Sequence, residues 1–99
     1  MKPEYAAALA PAEETVTIGS VTFTVRELAF AADAASLLKQ DDGMLRMTVA
    51  CTYGPDGERA FTDDDFEKLQ ASGTFKLMPL IQAALRVNGF SQPAEEKKP

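Results

Sequence analysis

Thr15-Val16-Thr17-Ile18-Gly19-Ser20-Val21-Thr22-Phe23-Thr24-Val25 is the stretch that decides the fold. Apolar residues and threonines alternate on both sides of Gly19-Ser20, which is the period of strands with one buried and one wet face. A two-residue turn at Gly19-Ser20 pairs Ile18 with Val21, Thr17 with Thr22, Val16 with Phe23 and Thr15 with Thr24. That register gathers the apolar side chains on one face and the threonines on the other. Glycine at the first turn position suits a type II′ turn, where that residue takes a positive φ. An isolated hairpin is marginal in water, so its apolar face must lie on helices.

The chain that follows supplies them. From Leu28 to Gln40 the spacing predicts a helix with Phe30, Ala31, Ala34, Ala35, Leu37 and Leu38 on one side. Asp41-Asp42-Gly43 breaks it. A second helix is predicted over Met44 to Tyr53, with Met44, Met47 and Cys51 in one apolar stripe and Leu45, Val49 and Tyr53 in another. Gly54-Pro55-Asp56-Gly57 reads as a turn. Thr62 is the expected N-cap of a short third helix ending near Ala71, with Asp65 at the capping-box position. The last helix runs to Asn88, where Gly89 suits an αL terminator and Phe90 reaches back to Leu85 in a Schellman arrangement. Pro79 lacks a backbone donor, so this helix either begins there or kinks there after a turn begun near Thr74.

The expected architecture is therefore α+β, an N-terminal β-hairpin packed on about four α-helices in one domain over residues 15–90. Residues 1–14, with Pro3, Pro11 and an alanine-rich patch, read as a flexible arm with room for one loose helical turn. Residues 91–99, with two prolines and Glu95-Glu96-Lys97-Lys98, read as a disordered charged tail.

Composition narrows the chemistry. The chain has 99 residues and no histidine, which removes the commonest general base and metal ligand. Its single cysteine, Cys51, can form neither an intrachain disulfide nor a zinc site, and its apolar neighbours suggest a buried, inert thiol. Serine–histidine and cysteine–histidine nucleophile systems are excluded with the histidine. No pair of carboxylates, lysines or tyrosines stands out, so the sequence reads as a non-enzyme that requires no cofactor. A net charge of −5, with ten scattered lysines and arginines, disfavours nucleic acid as partner. No apolar run approaches a membrane span, and Ala6 to Ala10 is too short for a signal-peptide core.

What remains is binding to other proteins. The second and last helices are apolar over more of their circumference than one contact requires. Either they are central, with the other elements wrapped around them, or one stripe is left for a partner. Met44, Met47, Cys51, Leu77, Met78, Ile81 and Leu85 are the candidate partner-binding residues. Methionines among them would adapt to varied apolar segments, or else fill gaps in the core. Asp63-Asp64-Asp65 lacks the alternating spacing, glycine and terminal glutamate of a calcium loop and opens a helix instead. The outer edges of the hairpin offer a further surface, for strand addition.

The order of these parts is similar to that in a known family. "VTIGSVTFTVRELAF" (16–30) is followed by a helix, "LRMTVACTYGPDGERAFTDDDFEKL" (45–69), "LMPLIQAALRVNGF" (77–90) and a charged tail. Together these resemble the tail assembly chaperones of long-tailed bacteriophages and prophages, over roughly residues 15–90. The chain departs from that pattern at Ala29-Phe30-Ala31-Ala32, which is richer in alanine. The resemblance implies a protein that coats apolar stretches of the phage tape-measure protein and keeps it soluble while tail-tube subunits assemble. It also implies self-association, residence in the host cytoplasm and absence from the mature virion. Many such proteins have a frameshift-extended form that engages the tail tube protein, and the A-rich codons of Lys97-Lys98 suit a slippery site. A gene with no slippery heptamer there and no overlapping frame would remove that expectation. Two other classes stay open, a small phage structural or connector protein and a bacterial antitoxin-like binding module. A neighbouring tape-measure gene, or a neighbouring toxin gene, separates them.

Overall fold

The structure, a computed structural model, describes residues 1–90, so the expected charged tail at 91–99 lies outside the described residues. Strands β1 (Glu13–Ile18) and β2 (Val21–Arg26) form the hairpin. They pair in the predicted register, which continues to Glu14 opposite Val25 and Glu13 opposite Arg26. Gly19 has φ 62° and Ser20 does not share the positive sign, the pattern of a type II′ rather than a type I′ turn. Val25 is fully buried, and Val16, Ile18 and Phe23 pack half-buried against the same core. On the other face the Thr17 and Thr22 hydroxyls share a 2.9 Å hydrogen bond.

Within the segment read as an arm lie helix α1 (Pro3–Ala8), longer than the single turn expected, and the first two residues of β1. Proline at the first turn followed by alanines favours that helix locally, although none of its residues is buried. The strand extends back past Thr15 because both glutamates are held by cations. Arg26 Nε donates to Glu13 Oε2 at 2.7 Å, and Arg86 grips Glu14.

The helix expected over Leu28 to Gln40 does not form as one piece. Phe30–Ala32 make a 3-10 turn, Asp33 turns left-handed at φ 56°, and α2 (Ala34–Leu38) begins after it. The Asp33 carboxylate accepts the Ser36 N–H at 3.2 Å. Its N-capping tendency thus outweighs the apolar periodicity on either side. Asp42, at φ 57°, and Gly43 make the next break. The chain folds back so tightly there that a Cβ on Gly43 would stand 2.0 Å from the Leu38 carbonyl oxygen.

Helix α3 (Gly43–Cys51) ends two residues short of the Tyr53 terminus expected from sequence. Thr52 and Tyr53 instead form β3, antiparallel to β2, with Thr24 opposite Tyr53 and Val25 opposite Thr52. A β-branched residue followed by an aromatic suits a strand once a paired edge lies alongside. The sheet order is β1-β2-β3. After a 3-10 turn at Asp63–Asp65, α4 (Phe66–Gln70) follows, and Asp65 Oδ2 accepts the Thr62 N–H at 2.9 Å as a capping box requires.

Helix α5 (Thr74–Val87) begins before Pro79 and runs through it, with the proline on the exposed side. It ends in a Schellman motif. Gly89 has φ 80°, its N–H reaches the Arg86 carbonyl at 3.0 Å, and the Phe90 N–H reaches the Leu85 carbonyl at 2.8 Å. Between α3, α5 and the hairpin lies the core, made of Val25, Met47, Cys51, Leu80, Ala83, Ala84 and Val87. The chain is thus an α+β fold in which a three-stranded antiparallel sheet packs on helices.

Candidate functional site

The candidate residues divide sharply by burial. Met47 and Cys51 are wholly buried, at 0% exposure, and are no part of a free surface in this fold. They stand four apart on α3, so one helical face carries both into the cluster formed with Leu80 and Ala84. Covering a methionine side chain is worth about 1.5–3 kcal/mol, and the fold takes that within one copy. Leu77 and Leu85 are half-buried against the same core, and Ile81 is half-buried. Met44 and Met78 remain in solvent, at 52% and 37%.

Larger apolar groups are more exposed than any of these. Phe75 is 93% exposed and Phe30 is fully so, at 102%. Sequence periodicity does not single out either one, for identifiable reasons. Phe75 precedes Pro79, on a stretch whose helical state the sequence leaves open. Phe30 belonged to the inward face of a helix that Asp33 interrupts. On α5, Phe75 and Met78 are three apart and share a side. Met78, Ile81 and Leu85 fall within roughly 60° of arc at 100° per residue, turned away from Ala83. One flank of the longest helix therefore carries an apolar stripe that the domain leaves partly open.

A second apolar feature lies at the other end of the chain's path. An open groove of about 690 Å³ runs between the segment after α1 and the turn preceding α2. Leu9, Pro11, Leu28, Phe30, Ala31 and Ala34 supply its apolar lining, with Glu27 and Asp33 beside them. Its walls are fixed by polar stitches. Glu27 Oε1 accepts the Ala12 N–H at 2.9 Å, and the Leu28 N–H donates to Asn88 Oδ1 at 3.0 Å. Asn88 Nδ2 in turn donates to the Ala84 carbonyl at 2.8 Å and to Cys51 Sγ at 3.3 Å. This one amide, at the end of α5, ties the groove's floor to the core.

Burial pushes the Cys51 thiol above its usual range, only partly offset by the Asn88 hydrogen bond and the charge of Arg59. It stays a thiol, which is a poor nucleophile. Among the described residues no group of three or more cysteines, aspartates or glutamates stands close enough to hold a metal ion. A smaller hollow of about 240 Å³ is lined in part by Arg46, Arg59 and Phe66. The Arg46 guanidinium stacks on the Phe66 ring, 4.7 Å from its centroid, while its Nε donates to the Asp41 carbonyl. That arginine is engaged in holding α3 to its neighbours. No described helix is long and apolar enough to cross a membrane.

Compared with protein-family models, curated proteins and solved structures, the chain shows no match.

Proposed function

We propose that this protein is a non-enzymatic assembly chaperone of a long-tailed phage, which binds the tape-measure protein and keeps it soluble in the host cytoplasm until the tail tube forms. One observation carries the reading beyond the sequence resemblance. Among the described residues, two phenylalanines, Phe30 and Phe75, stand in water with nothing packed over them. Exposed aromatics of this kind cost solubility and contribute nothing to a monomer's core, so their use lies in contact with another chain.

The kind of contact follows from the setting of each ring. Phe75 begins the open flank of α5, which presents apolar residues at helical spacing to a helix laid alongside. Phe30 borders the open groove of about 690 Å³, whose largely apolar lining suits apolar side chains from such a helix. Methionine at positions 44 and 78 lets the surface repack around successive, unlike segments. The net charge of −5 keeps the loaded complex dispersed. On this reading the protein leaves before the virion is complete.

Co-expression with the long, apolar, helical protein encoded next to it tests the proposal. The expected result is a soluble client that co-purifies with this chain. A client equally insoluble with and without it would refute the chaperone reading.

A further inference from the structure

The chain has four arginines, and the fold uses them in two ways. Arg26 and Arg86 are neutralised by Glu13 and Glu14, each at 2.7 Å. Among the described residues these are the two ion pairs. Arg46 and Arg59 have no carboxylate partner there, and both line the same hollow of about 240 Å³.

Neutral groups hold each of these two in place. Arg46 lies over the Phe66 ring, 4.7 Å from its centroid, and its Nε donates to the Asp41 carbonyl at 2.9 Å. Arg59 Nη2 donates to the Val49 carbonyl at 3.3 Å. The backbone under Arg59 is fixed as well, by its bridge to Tyr53 and by the Ala60 N–H on the Thr52 carbonyl at 3.1 Å. Such contacts orient a guanidinium without cancelling its charge. Each bond uses one nitrogen of the fork, so further N–H donors remain on both.

The rest of the lining limits what can enter. Val49 is buried, and Leu37, Ala50 and Phe66 are half-buried, which makes the floor apolar. Asp63 is the one carboxylate in the lining, and it forms an ion pair with neither arginine. Two guanidinium groups against one carboxylate leave a single positive charge. A singly charged anion matches that balance, whereas a phosphate dianion or a dicarboxylate brings a second charge toward Asp63. The net charge of −5 repels longer polyanions. An apolar floor below a cationic rim suits an acid carried on methylene groups.

We propose that this hollow binds the carboxylate of a glutamate side chain presented by a partner polypeptide. The acid is held between the Arg46 and Arg59 guanidiniums by charge-assisted hydrogen bonds, with its methylenes against the apolar floor. Arginine is suited to this, being a planar fork that is more weakly hydrated than an ammonium. None of the lining residues belongs to the α5 flank or to the groove beside Phe30. The inference therefore does not depend on the client reading.

NMR of the arginine Nε–H signals of the full chain tests it, with N-acetylglutamate methylamide as probe at constant ionic strength and neutral pH. The Arg46 and Arg59 signals should shift together and saturate, with half-saturation on the order of 10 mM. The signals of Arg26 and Arg86, already paired, should stay still, and the matching capped glutamine should move none of the four. Arg59→Gln should weaken the response at Arg46 at least about threefold, and Asp63→Asn should strengthen binding by a similar factor. Glutarate and inorganic phosphate should bind more weakly than the capped glutamate. Shifts that are absent, equal at all four arginines, or matched by capped glutamine would overturn the inference. So would tighter binding of glutarate or phosphate, or an affinity indifferent to both Arg59→Gln and Asp63→Asn.

Discussion

Arg86, near the end of the last helix, holds Glu14 on the first strand through two parallel bonds, Nη2 to Oε1 at 2.7 Å and Nε to Oε2 at 2.9 Å, across 72 residues of chain. This forked pair fixes α5 over the hairpin and favours the ionised carboxylate, so the Glu14 carboxyl titrates below its ordinary value. Because the folded value is the depressed one, the stabilisation is present above the ordinary glutamate range and is lost as pH falls through the lowered value. Both side chains are partly exposed, which limits the effect to about 0.5–1 kcal/mol. Glu14→Gln should therefore lower stability by that amount at pH 7 in urea titrations. The difference from wild type should close as the pH is taken below the folded value.

Burial separates two methionines one turn apart on α3. Met47→Asp places a carboxylate in the core and should cost more than about 4 kcal/mol, enough to leave the domain largely unfolded. Met44→Asp, on a side chain already half in water, should stay within about 0.5 kcal/mol of wild type. Thermal melts of the two variants decide this. An equal effect would mean that the α3 stripe is misplaced.

The tight reversal before α3 gives a third outcome. Gly43→Ala sets a methyl group against the backbone of Leu38, which has no flexible end to move aside. A loss of at least about 1–3 kcal/mol is expected. Gly54→Ala meets the Asp56 side-chain oxygen at 3.2 Å and the Glu58 carbonyl oxygen at an ordinary 3.8 Å, and should be much milder in the same denaturant series.

Cys51 offers a readout of opening. Fully buried and held protonated, it should resist alkylation by iodoacetamide in the native state. Asn88→Ala removes the amide that reaches Cys51, Ala84 and the Leu28 N–H, and should cost about 1–3 kcal/mol. Labelling of that variant should accelerate about tenfold for each ~1.4 kcal/mol of stability lost.

The hairpin was legible to the residue because alternation, turn chemistry and pairing register all had to agree, and a shift by one would have turned Val16 and Phe23 to water. The helix end at Gly89 and the capping box at Thr62 were legible for the same local reason. The region from Leu28 to Gln40 was not. There two signals conflict, an apolar period that favours one helix and an aspartate at 33 that favours a cap, and tertiary contacts such as the Leu28–Asn88 bond decide between them. β3 was hidden because Thr52 and Tyr53 become a strand only beside β2, a partner far away in sequence. At the candidate surface, periodicity told that α3 has two apolar stripes and that α5 is apolar over more of its circumference than one contact requires. It did not tell which stripe meets the core, so Met47 and Cys51 were grouped with Met44 and Met78, although only the latter pair is exposed.

The central claim is that Phe30 and Phe75 serve another chain and not the fold. The direct measurement is co-expression of the Phe30→Ser, Phe75→Ser double variant with the tape-measure protein, alongside its thermal melt. The account predicts a melting midpoint within a few degrees of wild type, as surface changes allow, with the client lost to the insoluble fraction. A folded variant that keeps the client as soluble as wild type does would contradict it.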